Sequence, residues 1–325
     1  MTELYPLKLE RTLSPRLWGG HKLQEFLSLP QPWPGPEPLG ESWQVYAGNR
    51  VANGPLAGRT LAEIAEEYGV ALLGNASVAR YGSRMPLLAK FIDAEDELSI
   101  QVHPDDSFAL THEAATGHVG KAEAWLILDA QPGAHIIWGF ERPVTQDEVR
   151  QAALDGSLET LVRYLPVKTG DVIYNPPGTV HAIGAGILLF EIQQSSDLTY
   201  RLYDYGRRDA SGRTRELHLD KALAVADCTP GGHAKISPRP LRPGRTELVR
   251  TPHFVMERWE VRDGFLAATS TESLDLLTLA EGHVTLELAG EGMELRRGES
   301  LVLPAALGAY QLHGHASVLR CYVPV

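Results

Sequence analysis

Two cysteines in 325 residues, Cys228 and Cys321, cannot build a disulfide framework, so a reduced, cytoplasmic setting is the simplest expectation. No uninterrupted apolar run approaches the roughly 20 residues that cross a bilayer. Met1 to Glu10 likewise lacks the basic start and apolar core of an export signal. The expectation is a chain neither exported nor anchored in a membrane. Positive charge is scarce too: 30 Lys and Arg face 41 Asp and Glu, a formal net charge of −11. Nucleic acid and anionic membrane surfaces are therefore not expected as partners, because an acidic surface does not draw polyanions. A small anionic ligand fits only if a local cationic pocket outweighs the global field.

What the chain does have is enough apolar residue, 43%, for one large or two modest cores. In Leu98 to Asp106, Ser99, Gln101 and His103 alternate with Leu98, Ile100 and Val102. That period of two sends successive side chains to opposite faces of a strand. Polar groups pointing inward from a sheet are costly unless paired, so three in a row suit a lined cavity, although a half-exposed edge strand gives the same alternation. Lys121 and Glu123 share one strand face, and Gly170, Pro176, Gly178 and His181 follow at hairpin spacing. Gly170 turns the chain into a strand, Pro176 and Gly178 form the hairpin, and His181 starts the next strand pointing inward. This spacing matches the second cupin motif, with Ala185 where an asparagine is frequent, and the chain resembles a cupin, a small jelly-roll barrel.

Taken in order, an amphipathic piece near Leu23 to Leu29 precedes a proline-rich loop from Pro30 to Pro38 and a first strand from Gly40 to Tyr46. Thr60 to Leu73 reads as a helix, with Thr60 and Glu63 spaced as a capping box. Strands are expected over Leu87 to Ile92 and Leu98 to Val102. A polar helix and loop should follow between His103 and Glu123, then a helical insertion over Pro143 to Leu165 and a third helix over His218 to Asp227. Beyond residue 247 the pattern is short strands and turns, including Leu274 to Leu279 and Val284 to Leu288. There Gly298 to Ala309 repeats Gly170 to His181 weakly, keeping a glycine and Pro304 but placing Ala309 at the histidine. The expected fold is mainly β: two cupin-type jelly-roll barrels with helical insertions in the N-terminal part. Residues 1–228 form a metal-binding catalytic domain, 229–246 a Pro/Gly-rich linker, and 247–325 a degenerate cupin-like domain without the ligand.

Five stretches occur in an order that resembles type I mannose-6-phosphate isomerases in their short bacterial form: Pro86 to Ile92, Ser99 to Asp106, Lys121 to Trp125, Pro177 to Ala182 and Glu191 to Arg207. The resemblance implies one Zn²⁺ per chain, held by Gln101, His103, Glu123 and His181, with another divalent metal also compatible with such a mixed donor set. It implies interconversion of mannose 6-phosphate and fructose 6-phosphate through a cis-enediol. That reaction needs a base, positive charge near the developing oxyanion and a phosphate anchor.

Glu191 is the first candidate base. It is a carboxylate inside the apolar run Ile187 to Ile192, where desolvation raises its pKa; the same burial fits a structural ion pair with Lys121 or Arg201. Lys121 is placed to polarise sugar oxygens, and Arg201 completes the expected catalytic set. Arg201 and Arg207 match the family's basic positions for the phosphate, with Ser99 and Lys90 near them and Trp18 as a wall of the sugar pocket. His112, His118, His135, His218, His313 and His315 are expected to be structural. Two other classes share the barrel: an Fe-dependent cupin oxygenase, against which the glutamine and the cations speak, and a non-catalytic sugar-phosphate sensor, which would not require a base.

Overall fold

The computed structural model describes residues 3–30, 33–35, 37–208, 211–230 and 232–325. Residues 31, 32 and 36 of the expected proline-rich loop, and Gly231 of the expected linker, lie outside these. The fold is mainly β, and every α-helix among the described residues lies between Lys22 and Val225, so the helical insertions are confined to the N-terminal part. Three antiparallel sheets carry the chain. A seven-stranded sheet runs Lys235–Ile236, Val172–Asn175, Glu123–Ala130, Ile187–Gln194, Leu87–Ala94, Leu39–Val45, Thr12–Gly20. A five-stranded sheet runs Tyr200–Tyr203, Ile100–Val102, His181–Ile183, His135–Phe140, Val162–Pro166. The third, nine-stranded, joins Leu7–Lys8 to strands between Arg239 and Tyr322. Among the described residues no sheet closes on itself; the first cupin unit is two open sheets facing each other.

Leu87–Ala94 and Ile187–Gln194 are buried along their whole length, which the period of two explains. Leu87, Ala89, Phe91, Phe190 and Ile192 point into a core shared with Leu248, Met256, Leu276 and Leu319 of the nine-stranded sheet. The alternate residues Ile92 and Leu189 point the other way, into a core with Ile136, Trp138 and Ile183 of the five-stranded sheet. The central sheet is therefore a middle layer, and each large apolar side chain it buries contributes about 1.5–3 kcal/mol. Lys90 and Glu191 share the inward face, so the strands that seal the two halves together also carry charge toward the first unit's interior.

Several elements depart from the sequence pattern. The helix expected over 60–73 has its capping box, Glu63 N–H donating to Thr60 at 3.2 Å and Thr60 N–H to Glu63 at 2.7 Å, but breaks at Gly69 (φ +46°) into Leu61–Tyr68 and Val70–Leu73. Within 143–165 only Gln146–Asp155 is α-helical; Gly156 ends it in the left-handed conformation, and Leu165 pairs across to Ile136 in a strand. The two short strands expected over 274–288 are one, Asp275–Leu288, because Gly282 (φ +78°) lies just past a register shift at Leu279/Glu281 rather than in a turn. Residues 229–246 do not run free: Lys235–Ile236 joins the seven-stranded sheet, while Arg239–Arg242 pairs with Arg245–Arg250 at the edge of the nine-stranded one.

Candidate active site

Strand register brings two rows of functional side chains face to face. In the seven-stranded sheet, Trp43, Lys90, Glu191 and Trp125 are successive cross-strand partners. In the five-stranded sheet, Arg201, Gln101, His181 and Trp138 form the corresponding row. Between the sheets opens a cavity of about 500 Å³, lined by Trp18, Lys90, Ser99, Gln101, Lys121, Glu123, Glu191 and Arg201. These residues span positions 18 to 201, yet strand pairing alone aligns Lys90 with Glu191 and Gln101 with Arg201.

At one end of the cavity His103, Glu123 and His181 converge, their ligand atoms all within 4.8 Å of one another and all three residues buried. Glu123 Oε1 lies 3.1 Å from His181 Nε2, and Oε2 lies 3.2 Å from His103 Nε2. Despite these separations, His181 Nε2 and Glu123 Oε2 make no hydrogen bond among the described residues. Buried polar atoms are rarely left so, and lone pairs aimed at a common point are what a cation requires. His181 Nδ1 is 2.8 Å from the Thr179 carbonyl; as donor there it leaves the Nε2 lone pair free, the usual outer-shell support of a ligating imidazole. Burial and then the Lys121 charge hold the His103 pKa down, to about 3, so its ring is neutral. Burial raises the Glu123 pKa, but Lys121 and the two histidines outweigh it and hold the carboxyl well below its ordinary range, so it is ionised. Gln101, half-buried and paired in register with His181, lies beside this cluster. The residues present fit a divalent metal.

Beside the cluster runs a chain of buried charge. Lys90 Nζ is 3.3 Å from both Glu41 Oε1 and Glu191 Oε1, and Trp125 Nε1 donates to Glu191 Oε2 at 3.0 Å. Burial, then the negative charge of Glu123, raises the Glu191 pKa, with Lys90 opposing. Burial would lower Lys90, but Glu191 and Glu41 raise it further, so it stays charged. The ion-pair partner of Glu191 is thus Lys90 rather than the expected Lys121 or Arg201. Lys121 lies instead 3.1 Å from Glu123 and 3.2 Å from His103. On the opposite wall Arg201 donates Nε to Ser99 Oγ at 3.2 Å.

Arg207, expected with Arg201 at the phosphate, does not line the cavity; it donates to Asp204 and to the Glu97 carbonyl. Its side chain is fully engaged in holding the chain after Tyr200–Tyr203, and Arg215 reaches the lining instead. None of the histidines expected to be structural lines it.

Comparison with known proteins gives the family. Family models match residues 7–126, as the catalytic domain of phosphomannose isomerase type I, and residues 245–323, as the mannose-6-phosphate isomerase cupin domain. The mannose-6-phosphate isomerase of Streptococcus mutans is 36% identical over 327 residues, 98% of each chain. The chain belongs to the type I phosphomannose isomerase family. ManA of Bacillus subtilis, also named a mannose-6-phosphate isomerase, is 36% identical and covers 97% of this chain and 98% of its own. A crystal structure of the Bacillus subtilis mannose 6-phosphate isomerase is similar with a TM-score of 0.86 at 32% identity, covering 97% of this chain and 99% of that one.

In this phosphomannose isomerase chain, sequence reasoning missed Glu41, Arg16 and Arg215, all on the cavity lining. Glu41 is buried and also pairs with Arg16 at 2.6 Å. Burial raises its pKa, but Lys90 and Arg16 prevail and hold it below the ordinary value. One carboxylate among 41 acidic residues carries no local mark, and only its place opposite Ile92, next to the Trp43–Lys90 pair, distinguishes it.

Proposed function

We propose that the protein interconverts mannose 6-phosphate and fructose 6-phosphate by proton transfer through a cis-enediol, with one Zn²⁺ held by Gln101, His103, Glu123 and His181. The observation that carries this reading is that Glu191, a buried carboxylate with a raised pKa, lines the same cavity as Gln101 and Glu123. A divalent ion held by His103, Glu123 and His181 would supply positive charge where the enediol's negative charge develops.

Glu191 removes the proton from the carbon next to the carbonyl and returns it to the neighbouring carbon, its raised pKa bringing it nearer the working range of a base. Lys90, 3.3 Å from Glu191, steadies the carboxylate in its charged form. Lys121 polarises the sugar oxygens, and Trp18, almost fully buried, walls the pocket against water. Arg201 and Ser99 anchor the phosphate and place the sugar against the base. This set supports an isomerase of a small sugar phosphate, and two free cysteines are consistent with a cytoplasmic setting.

Isomerisation in D₂O by the metal-loaded protein tests the proposal, since proton exchange at the enediol carries deuterium into the product. Glu191→Gln should lower kcat by about 10²–10⁴-fold, the span typical of a lost general base. Oxygen uptake by the wild-type chain, or sugar-phosphate binding with no turnover, would refute the isomerase reading.

A further inference from the structure

Asp204 is buried and serves more positive charge than it can neutralise. Arg215 donates Nε to its Oδ2 at 2.7 Å and Nη2 to Oδ1, the two-pronged grip of a guanidinium on a carboxylate. Arg207 donates Nε and Nη2 to the same Oδ1, at 3.2 and 2.5 Å, and its remaining arm to the Glu97 carbonyl. Arg207 has a second, more distant carboxylate in Asp96 at 3.8 Å, whereas Arg215 has only its share of Asp204, so the uncompensated positive charge falls on Arg215. The two arginines also differ in where they lie. Every arm of Arg207 is occupied and the residue is absent from the cavity wall, whereas Arg215 lines the cavity and its Nη1 has no acceptor among the described residues.

Arg201 faces the same space. Its Nε is spent on Ser99 and its Nη1 on the Glu216 carbonyl at 2.9 Å, leaving Nη2 without an acceptor among the described residues. Both arginines line the one cavity, and burial, then the charge of Arg215, depresses the Arg201 pKa. The backbone keeps them there. After Tyr200–Tyr203, Arg208 bridges to Thr214, and Arg201 N–H donates to His218 Nδ1 at 3.1 Å while His218 N–H donates to the Arg201 carbonyl at 2.8 Å. Arg215 sits just before that stitch. Two like charges fixed at a cavity wall, each with free N–H groups, are a costly arrangement that an anion between them relieves.

We propose that Arg215, aimed by Asp204, is the second arginine of the phosphate subsite and binds the dianion together with Arg201. This rests on the sugar-phosphate reading above and changes the expected pairing, with Arg207 acting only to support Asp204. It also explains how a chain of net charge −11 holds a dianion: Arg201, held by Ser99 and the Glu216 carbonyl, and Arg215, held by Asp204, put two cations on one cavity.

Calorimetric titration of inorganic phosphate into the metal-loaded, full-length protein reads the subsite without requiring turnover. Arg215→Ala should weaken phosphate binding by about ten- to a hundredfold, the loss expected for one charge-assisted contact. KM for mannose 6-phosphate should rise by a similar factor while kcat falls less. Arg215→Gln, closer in length, should show the same loss and is the measure to use if the alanine variant does not melt cooperatively. A merely structural Arg215–Asp204 pair would lower the melting temperature and leave phosphate affinity at the wild-type value, and that result overturns the assignment. Loss of phosphate affinity in the variants of a chain that never isomerises mannose 6-phosphate would leave Arg215 in place and remove the isomerase reading instead.

Discussion

Replacing His181 with alanine separates two energies that the structure ties to one ring. The first is independent of metal. The ring is buried between Trp125 and His103, with centroid separations of 5.6 and 4.8 Å, and its Nδ1 is the hydrogen-bond partner of the Thr179 carbonyl. Truncation leaves a void and an unpaired buried acceptor, on the order of 3 kcal/mol together. The second is linkage: a metal at a hundred times its dissociation constant stabilises the folded state by about 2.7 kcal/mol, and losing one strong ligand of three removes most of that. A chain this long unfolds with an entropy of about 0.7 kcal/mol/K, so each energy corresponds to roughly 4 °C. Scanning calorimetry in chelator and in excess zinc resolves them. In chelator the variant should melt about 4 °C below wild type; adding zinc should raise wild type by a similar amount and the variant by less than about 1 °C. An equal zinc-dependent rise in both proteins would show that His181 is not a ligand, whatever the variant's loss in chelator.

Gly74→Ala should destabilise the protein by about 2–4 kcal/mol in urea, because the residue holds φ +89° and a Cβ there would stand 2.4 Å from the Glu272 backbone across the two halves of the molecule. An unchanged midpoint would mean that this contact gives way easily. Asp275, fully buried against Arg320 at 2.8 Å, has its carboxyl pKa pushed up by burial to about 6. The folded state therefore binds its proton more tightly than the unfolded chain, so the stability it contributes is complete below about pH 4 and is withdrawn as pH rises through about 6. Between pH 4 and pH 7 wild type should lose on the order of 3 kcal/mol relative to Asp275→Asn, and parallel stability curves for the two would contradict this.

Short-range spacing makes much of the chemistry legible in the amino-acid sequence. Gly170, Pro176, Gly178 and His181 mark a hairpin and its inward histidine because turn geometry is a local property, and His181 does open the strand His181–Ile183. Ser99, Gln101 and His103 stand out because a period of two needs only a few residues to be visible. Glycine is the less reliable sign. Gly69 breaks a helix and Gly282 accompanies a bulge, and the same freedom in φ would equally have served a loop or a turn.

Periodicity alone turns Ser99, Gln101 and His103 to one strand face, and composition alone sets the acidic balance against which any anion site must work. Tertiary structure decided who meets whom. Lys90 belongs to Glu191 because strand register sets them opposite each other, and to Glu41 because Glu41 stands one pair along, opposite Ile92, on the neighbouring strand; Arg215 rather than Arg207 reaches the cavity because a buried Asp204 and a backbone stitch at His218 turn one arginine inward and occupy the other. Such pairings depend on sums of long-range packing and electrostatic energies, which no local window of residues contains.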